Sequence, residues 1–79
     1  MTRTKNRTKS GTPSLLDVVA LLADRAEEGL ARGQVGTVVE PLDDNTLLVE
    51  FSDDQGRAYA LAPCPRDQLL VLHYVPEPA

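Results

Sequence analysis

The sequence has one cysteine, one histidine, no tryptophan and only three other aromatic residues in 79 positions. A lone Cys64 excludes an internal disulfide, and a lone His73 leaves no zinc constellation. No cofactor is therefore expected. No apolar run approaches the roughly 20 residues needed to cross a bilayer, so no membrane association is expected. The start, Met1-Thr2-Arg3-Thr4-Lys5, is basic, but neither an apolar stretch nor a small-residue cleavage site follows it. A secretory signal is not expected. With no disulfides to argue for export, the expected compartment is the cytoplasm. A chain this short buries only about 60% of its unfolded surface, so its stability must come from compact packing or from another chain.

Charge is present but unevenly spread. Arg3, Lys5, Arg7 and Lys9 hold four of the eight basic residues within the first ten positions. The remainder carries four basic against twelve acidic residues, a net of −8. That remainder repels nucleic acid and anionic lipid, whereas the basic stretch can attract them. Residues 1–14 contain almost nothing apolar before Pro13 and are expected to be a disordered basic tail, because little there repays the entropy of ordering. Residues 76–79, Pro76-Glu77-Pro78-Ala79, are expected to be a C-terminal tail. Residues 15–75 form the expected domain.

Within the domain, apolar segments alternate with turn signals. In Leu15–Ala23, a helical spacing of Leu15, Val19, Leu22, Ala26 and Leu30 competes with a β-branched centre, Val18-Val19. Ser14 and Asp17 also resemble a capping box. The later segments are clearer. Val35–Glu40 is β-branched behind Gly33 and Gly36. Leu47, Val49 and Phe51 alternate onto one face, and Tyr59 and Leu61 alternate in the next run. Pro41–Asn45 and Ser52–Gly56 read as turns. Pro63-Cys64-Pro65 reads as a strand break, Arg66–Gln68 as one turn of 3₁₀ helix, and Leu69–Leu72 as a last short strand. Val38, Val49, Phe51, Tyr59, Leu61, Leu70 and Leu72 are the expected core. Strands at about ten-residue spacing predict an all-β protein, a small five-stranded SH3-like barrel closed through its first and last strands. The alternative is an α+β protein with residues 15–31 helical.

Three stretches, Leu16–Leu22, Glu28–Glu40 and Val49–Arg57, with Gln68–Leu72 at the end, resemble a small bacterial family catalogued as a domain of unknown function (number 4926). Gly33, Gly36, Thr37 and Val38 are also similar to the KOW motif, in which a glycine-containing loop feeds a strand of an SH3-like barrel. The resemblance implies a fold rather than an activity. Gly36 is expected to bend the chain at a barrel corner, and Gly33 and Gly56 to take positive φ.

No catalytic set emerges, and the chain is not expected to be an enzyme. His73 has no nucleophile near it in sequence. Cys64 reads as a packed thiol. Asp43-Asp44 and Asp53-Asp54 suit turns, and neither run has calcium-loop spacing. The long segment Asp24–Arg32 reads as a loop on a rigid scaffold, the usual place for recognition. Candidate partner-binding residues are therefore Glu27, Glu28, Asp53 and Asp54 as acidic steering groups, with Leu30 as the apolar anchor. Candidate nucleic-acid contacts are the tail residues Arg3, Lys5, Arg7 and Lys9. The leading expectation is a non-catalytic module that binds a basic protein partner, of an antitoxin or immunity type. The alternatives are a KOW-like accessory protein anchored to nucleic acid by its tail, and an accessory subunit or activator of an enzyme.

Overall fold

A computed structural model describes residues 13–73. The basic stretch 1–12 and residues 74–79 lie outside them. Five strands follow in order: β1 Val18–Leu21, β2 Val35–Pro41, β3 Thr46–Ser52, β4 Ala58–Pro65 and β5 Leu69–Val71. Single 3₁₀ turns occupy Ala26–Glu28 and Arg66–Gln68. All strand pairs are antiparallel, in the order β4-β3-β2-β1-β5. The protein is all-β, and the helical alternative for residues 15–31 does not occur.

The segment with competing signals resolves as a strand because both its edges are used. Val19 pairs with Gly36 on one side and Val71 on the other. Ser14 and Asp17 do bond to each other. The Ser14 amide and hydroxyl donate to Asp17 Oδ2 at 2.9 and 3.1 Å, and the Asp17 amide donates to the Ser14 carbonyl at 3.0 Å. They close a turn ahead of a strand instead of capping a helix. Leu16, inside that turn, takes φ 70.

The sheet cannot be flat. Five strands at about 4.8 Å spacing place the two edges about 19 Å apart. Yet the edge strands β4 and β5 are joined by three residues of 3₁₀ helix, an advance of about 6 Å. The sheet therefore curls, bringing the end of β4 near the start of β5. Hydrogen bonds on both sides of the link hold the seam: the Arg66 amide donates to the Asn45 carbonyl at 2.7 Å, and the Leu22 amide to the Gln68 carbonyl at 2.8 Å. The Arg66 guanidinium adds a second clamp, donating to the carbonyls of Asp44 (3.0 Å) and Pro13 (2.8 Å).

The inner face holds one core, in which Val19, Leu21, Val38, Leu47, Val49, Phe51, Ala62, Cys64, Leu69 and Val71 enclose Leu30. Four of the expected core residues lie elsewhere. Tyr59, Leu61 and Leu70 are 48–59% exposed, and Leu72 is only half-buried. In β4 the inner positions are the small residues Ala60, Ala62 and Cys64, opposite Phe51, Val49 and Leu47. The bulky side chains of β3 already fill that space, so β4 turns its own bulky residues outward. In β5 the register with β1 sets the parity, putting Leu69 and Val71 inside.

Pro63-Cys64-Pro65 does not break β4. An edge strand needs donors on one side only. Residues 63 and 65 share the parity that faces the open edge, so their missing N–H groups remove no ladder bond. Gly36 also has a different role from the bend expected of it. A Cβ there would lie 2.6 Å from Val49 Cγ1 and 2.8 Å from the Glu50 carbonyl oxygen, so glycine permits β2 and β3 to approach. Gly33 and Gly56 do take positive φ, 91 and 80.

Candidate functional site

The long β1–β2 loop is stapled at both ends. The Arg25 amide donates to the Leu30 carbonyl at 2.8 Å and the Leu30 amide returns the bond at 3.0 Å. The Arg32 amide donates to Asp24 Oδ1 at 2.9 Å. Leu30 is buried inside the core, so it anchors the loop to its own domain and offers no anchor to a partner. Glu28 is half-buried and engaged, with Arg25 Nε 3.2 Å from its Oε1, while Glu27 points to solvent. Arg25 Nη1 also donates to Gln68 Oε1 at 3.4 Å, tying the loop to the second 3₁₀ turn.

The acidic hairpin tips are committed to turn geometry in part. Asp53 Oδ1 accepts from the amides of Gln55 and Arg57, both at 2.9 Å, and Oδ2 lies 3.5 Å from Arg57 Nε. Asp43 Oδ1 accepts from the Asn45 amide at 2.8 Å. Asp54 and Asp44 are exposed. The two tips sit at opposite ends of β3, about 20 Å apart, so their potentials do not add at one spot. Arg3, Lys5, Arg7 and Lys9 lie outside the described residues.

Among the described residues, no three His, Cys, Asp or Glu side chains come together as metal ligands, and no helix is long and apolar enough to cross a membrane. Cys64 is fully buried beside the Ala62 carbonyl, with Sγ 3.6 Å away. Burial pushes its thiol above the ordinary value. Arg25 pulls the other way and Glu28 adds a smaller push upward. Such a thiol is a poor nucleophile at neutral pH. His73 is exposed at the last described position.

The feature missed by the sequence reading is the outer face of the sheet. Two neighbouring rows cross it. One runs through Leu61, Glu50, Thr37 and Val18, each paired with the next. The other carries Val35, Ala20 and Leu70. Leu61 is 59% exposed. Tyr59 is the extra residue of a β-bulge, since Ala60 pairs with Phe51 and Ala58 with Ser52. Its ring centroid lies 6.5 Å from that of Phe51, and its hydroxyl accepts from Gln34 Nε2 at 2.8 Å. A half-exposed tyrosine is thus fixed in place. Glu50 is the one charge in its row. The signal for this face was present in the alternation Ala60-Leu61-Ala62, but with the opposite parity.

The curled five-stranded antiparallel sheet, with its core on the inner face, makes this a small all-β domain. The chain belongs to the family described as "Domain of unknown function (DUF4926)", whose model matches residues 15–71. No curated protein and no solved structure matches it.

Proposed function

We propose that the protein is a non-catalytic protein-binding module, an SH3-like barrel that covers a basic surface on its partner in the manner of a small bacterial antitoxin or immunity protein. The observation that carries this reading is the fixed, half-exposed Tyr59 on a domain that is otherwise acidic. Residues 13–73 hold four basic against eleven acidic residues, a net of −7. Two of the four arginines are occupied by Glu28 and Asp53. Aromatic side chains at low ordering cost supply affinity, and the surrounding charge supplies steering and partner choice. The strand order β4-β3-β2-β1-β5, with a 3₁₀ turn before the last strand, supports the SH3-like assignment. The lone reduced cysteine fits a cytoplasmic setting.

The test is retention of partners by the full chain from its native cell, with protein and nucleic acid both analysed, repeated on a chain lacking residues 1–13. A protein partner retained by both chains supports the reading. Retention of RNA or DNA alone, lost with the tail and falling steeply with salt, overturns it in favour of a nucleic-acid accessory role. That second reading draws on the four cations among the first ten residues.

A further inference from the structure

We infer that Pro63 and Pro65 are an assembly guard: they close the free edge of β4, the longest strand of the sheet, to pairing with the β4 of a second copy. The inference stands apart from the partner-binding reading and holds or fails independently of it.

The ladder fixes which way each backbone group points. The Arg66 amide donates to the Asn45 carbonyl at 2.7 Å, and the pairs Thr46–Pro65, Leu47–Cys64 and Leu48–Pro63 follow in register. Antiparallel pairs alternate between bonded and non-bonded. Cys64, Ala62 and Ala60 therefore bond to β3, while Leu61, Pro63 and Pro65 direct their backbone groups away from it. No further strand lies on that side, because β4 ends the order β4-β3-β2-β1-β5. Among the described residues, nothing hydrogen-bonds to the outward backbone groups of Leu61 or Pro63.

Such an edge invites another chain. β4 runs for eight residues, Ala58–Pro65, and carries no charge. Ala58, Tyr59, Leu61 and Pro63 are exposed. A long, apolar, uncharged edge is a template for strand addition unless something interrupts it. The bulge at Tyr59 disturbs one end of the strand, which leaves residues 61–65 to be guarded. Charge, a usual guard, is missing there, and prolines stand at two of the three outward positions, Leu61, Pro63 and Pro65.

A second copy approaching antiparallel about residue 63 would set Leu61 opposite Pro65 and Pro63 opposite Pro63. Each facing pair of this kind ordinarily exchanges two bonds. With proline at 63 and 65, only the bond donated by each Leu61 amide survives, and the pyrrolidine rings fill the space into which amide hydrogens would point. The other edge needs no such device. β5 has three residues. The Leu72 amide donates to the Val18 carbonyl, so Leu69 and Val71 point outward. Leu69 commits its amide to the Arg66 carbonyl, which leaves Val71 as the one outward donor of that strand.

The experiment is sedimentation of the full chain over a range of concentrations, with amide hydrogen exchange followed by NMR on the same samples. The double variant Pro63→Thr, Pro65→Thr restores the missing donors with a residue suited to strands. It is expected to self-associate at least about tenfold more tightly than the parent, and its new amides at positions 63 and 65 should exchange more slowly as concentration rises. In the parent, the Leu61 amide should exchange at a rate independent of concentration. Adding Leu61→Lys to the double variant puts a charge on the edge and should return association to the parent level. Pro63→Thr alone restores the central bonds, should associate to an intermediate extent, and reads the same edge if the double variant does not fold. A folded threonine variant that sediments like the parent overturns the inference. So does association that survives Leu61→Lys, or a parent Leu61 amide whose exchange slows with concentration.

Discussion

On the inner face of β3, Leu47, Val49 and Phe51 meet Cys64, Ala62 and Ala60; on its outer face, Leu48 and Glu50 meet Pro63 and Leu61. The inner pairs set large side chains against small ones and leave all the β3 members buried. Of the outer pairs, Leu48 and Pro63 are both apolar, whereas Leu61 faces the charge of Glu50 and stays in water. The difference shows how a short chain spends a limited apolar content. Close packing takes only one member of each inner pair to be large, and Leu61 on β4 is thus released to the surface.

The comparison is broken most severely at Phe51. Phe51→Ala empties the centre of the inner face and should cost about 3–5 kcal/mol, much of the stability of a domain this size. Chemical denaturation will read it, and a variant with the parent's midpoint would mean that the inner face is not the core. Gly36→Ala attacks the same face from the backbone. Its methyl group meets Val49 Cγ1 and the Glu50 carbonyl oxygen, an overpacking that should cost about 1–3 kcal/mol.

Cys64 distinguishes the faces by pH. Burial raises its thiol, so the native state keeps a proton that the unfolded chain releases. Its contribution is full below the ordinary thiol value of about 8.5 and declines as pH rises above it. The urea midpoint of the parent should therefore fall more between pH 8 and pH 10 than that of Cys64→Ala. Parallel curves would place the thiol in contact with water. Leu16 tests the outside. Its φ of 70 is strained for a leucine that is 70% exposed. Leu16→Gly should raise stability by about 0.5–1 kcal/mol despite glycine's greater freedom when unfolded. The smallest effect belongs to Leu61→Ser. An outward, half-solvated side chain should change stability by no more than about 0.5 kcal/mol, and a large loss would show that the outer face is structural.

The number of strands, the turns and the 3₁₀ segment before β5 were legible because turn residues and β-branched runs act locally. What escaped was parity. In Tyr59-Ala60-Leu61-Ala62 strict alternation puts the bulky residues on one face, and the usual inference puts that face inside; the bulge at Tyr59 breaks the alternation. The deciding fact, that β3 already fills that volume, is a property of the neighbour. Leu69-Leu70-Val71-Leu72 is apolar at every position, so only pairing with β1 tells its faces apart. Leu30 was legible as the apolar member of a charged loop, but whether such a residue plugs a core or waits for a partner depends on loop closure through Arg25. The prolines at 63 and 65 announce a break unless the strand is known to be an edge.

Pairing between the first strand and the last has a consequence in time. Leu21 meets Leu69 and Val19 meets Val71, contacts that span most of the domain. While the chain is being made, the β2–β3–β4 meander can assemble from near neighbours, but one side of β1 waits for β5, whose residues are made last among the five strands. Contacts of this separation slow folding, and until they form, a short apolar strand has an open edge ready to accept another chain. The interval between synthesis of β4 and arrival of β5 is thus when this protein is most exposed to misassembly.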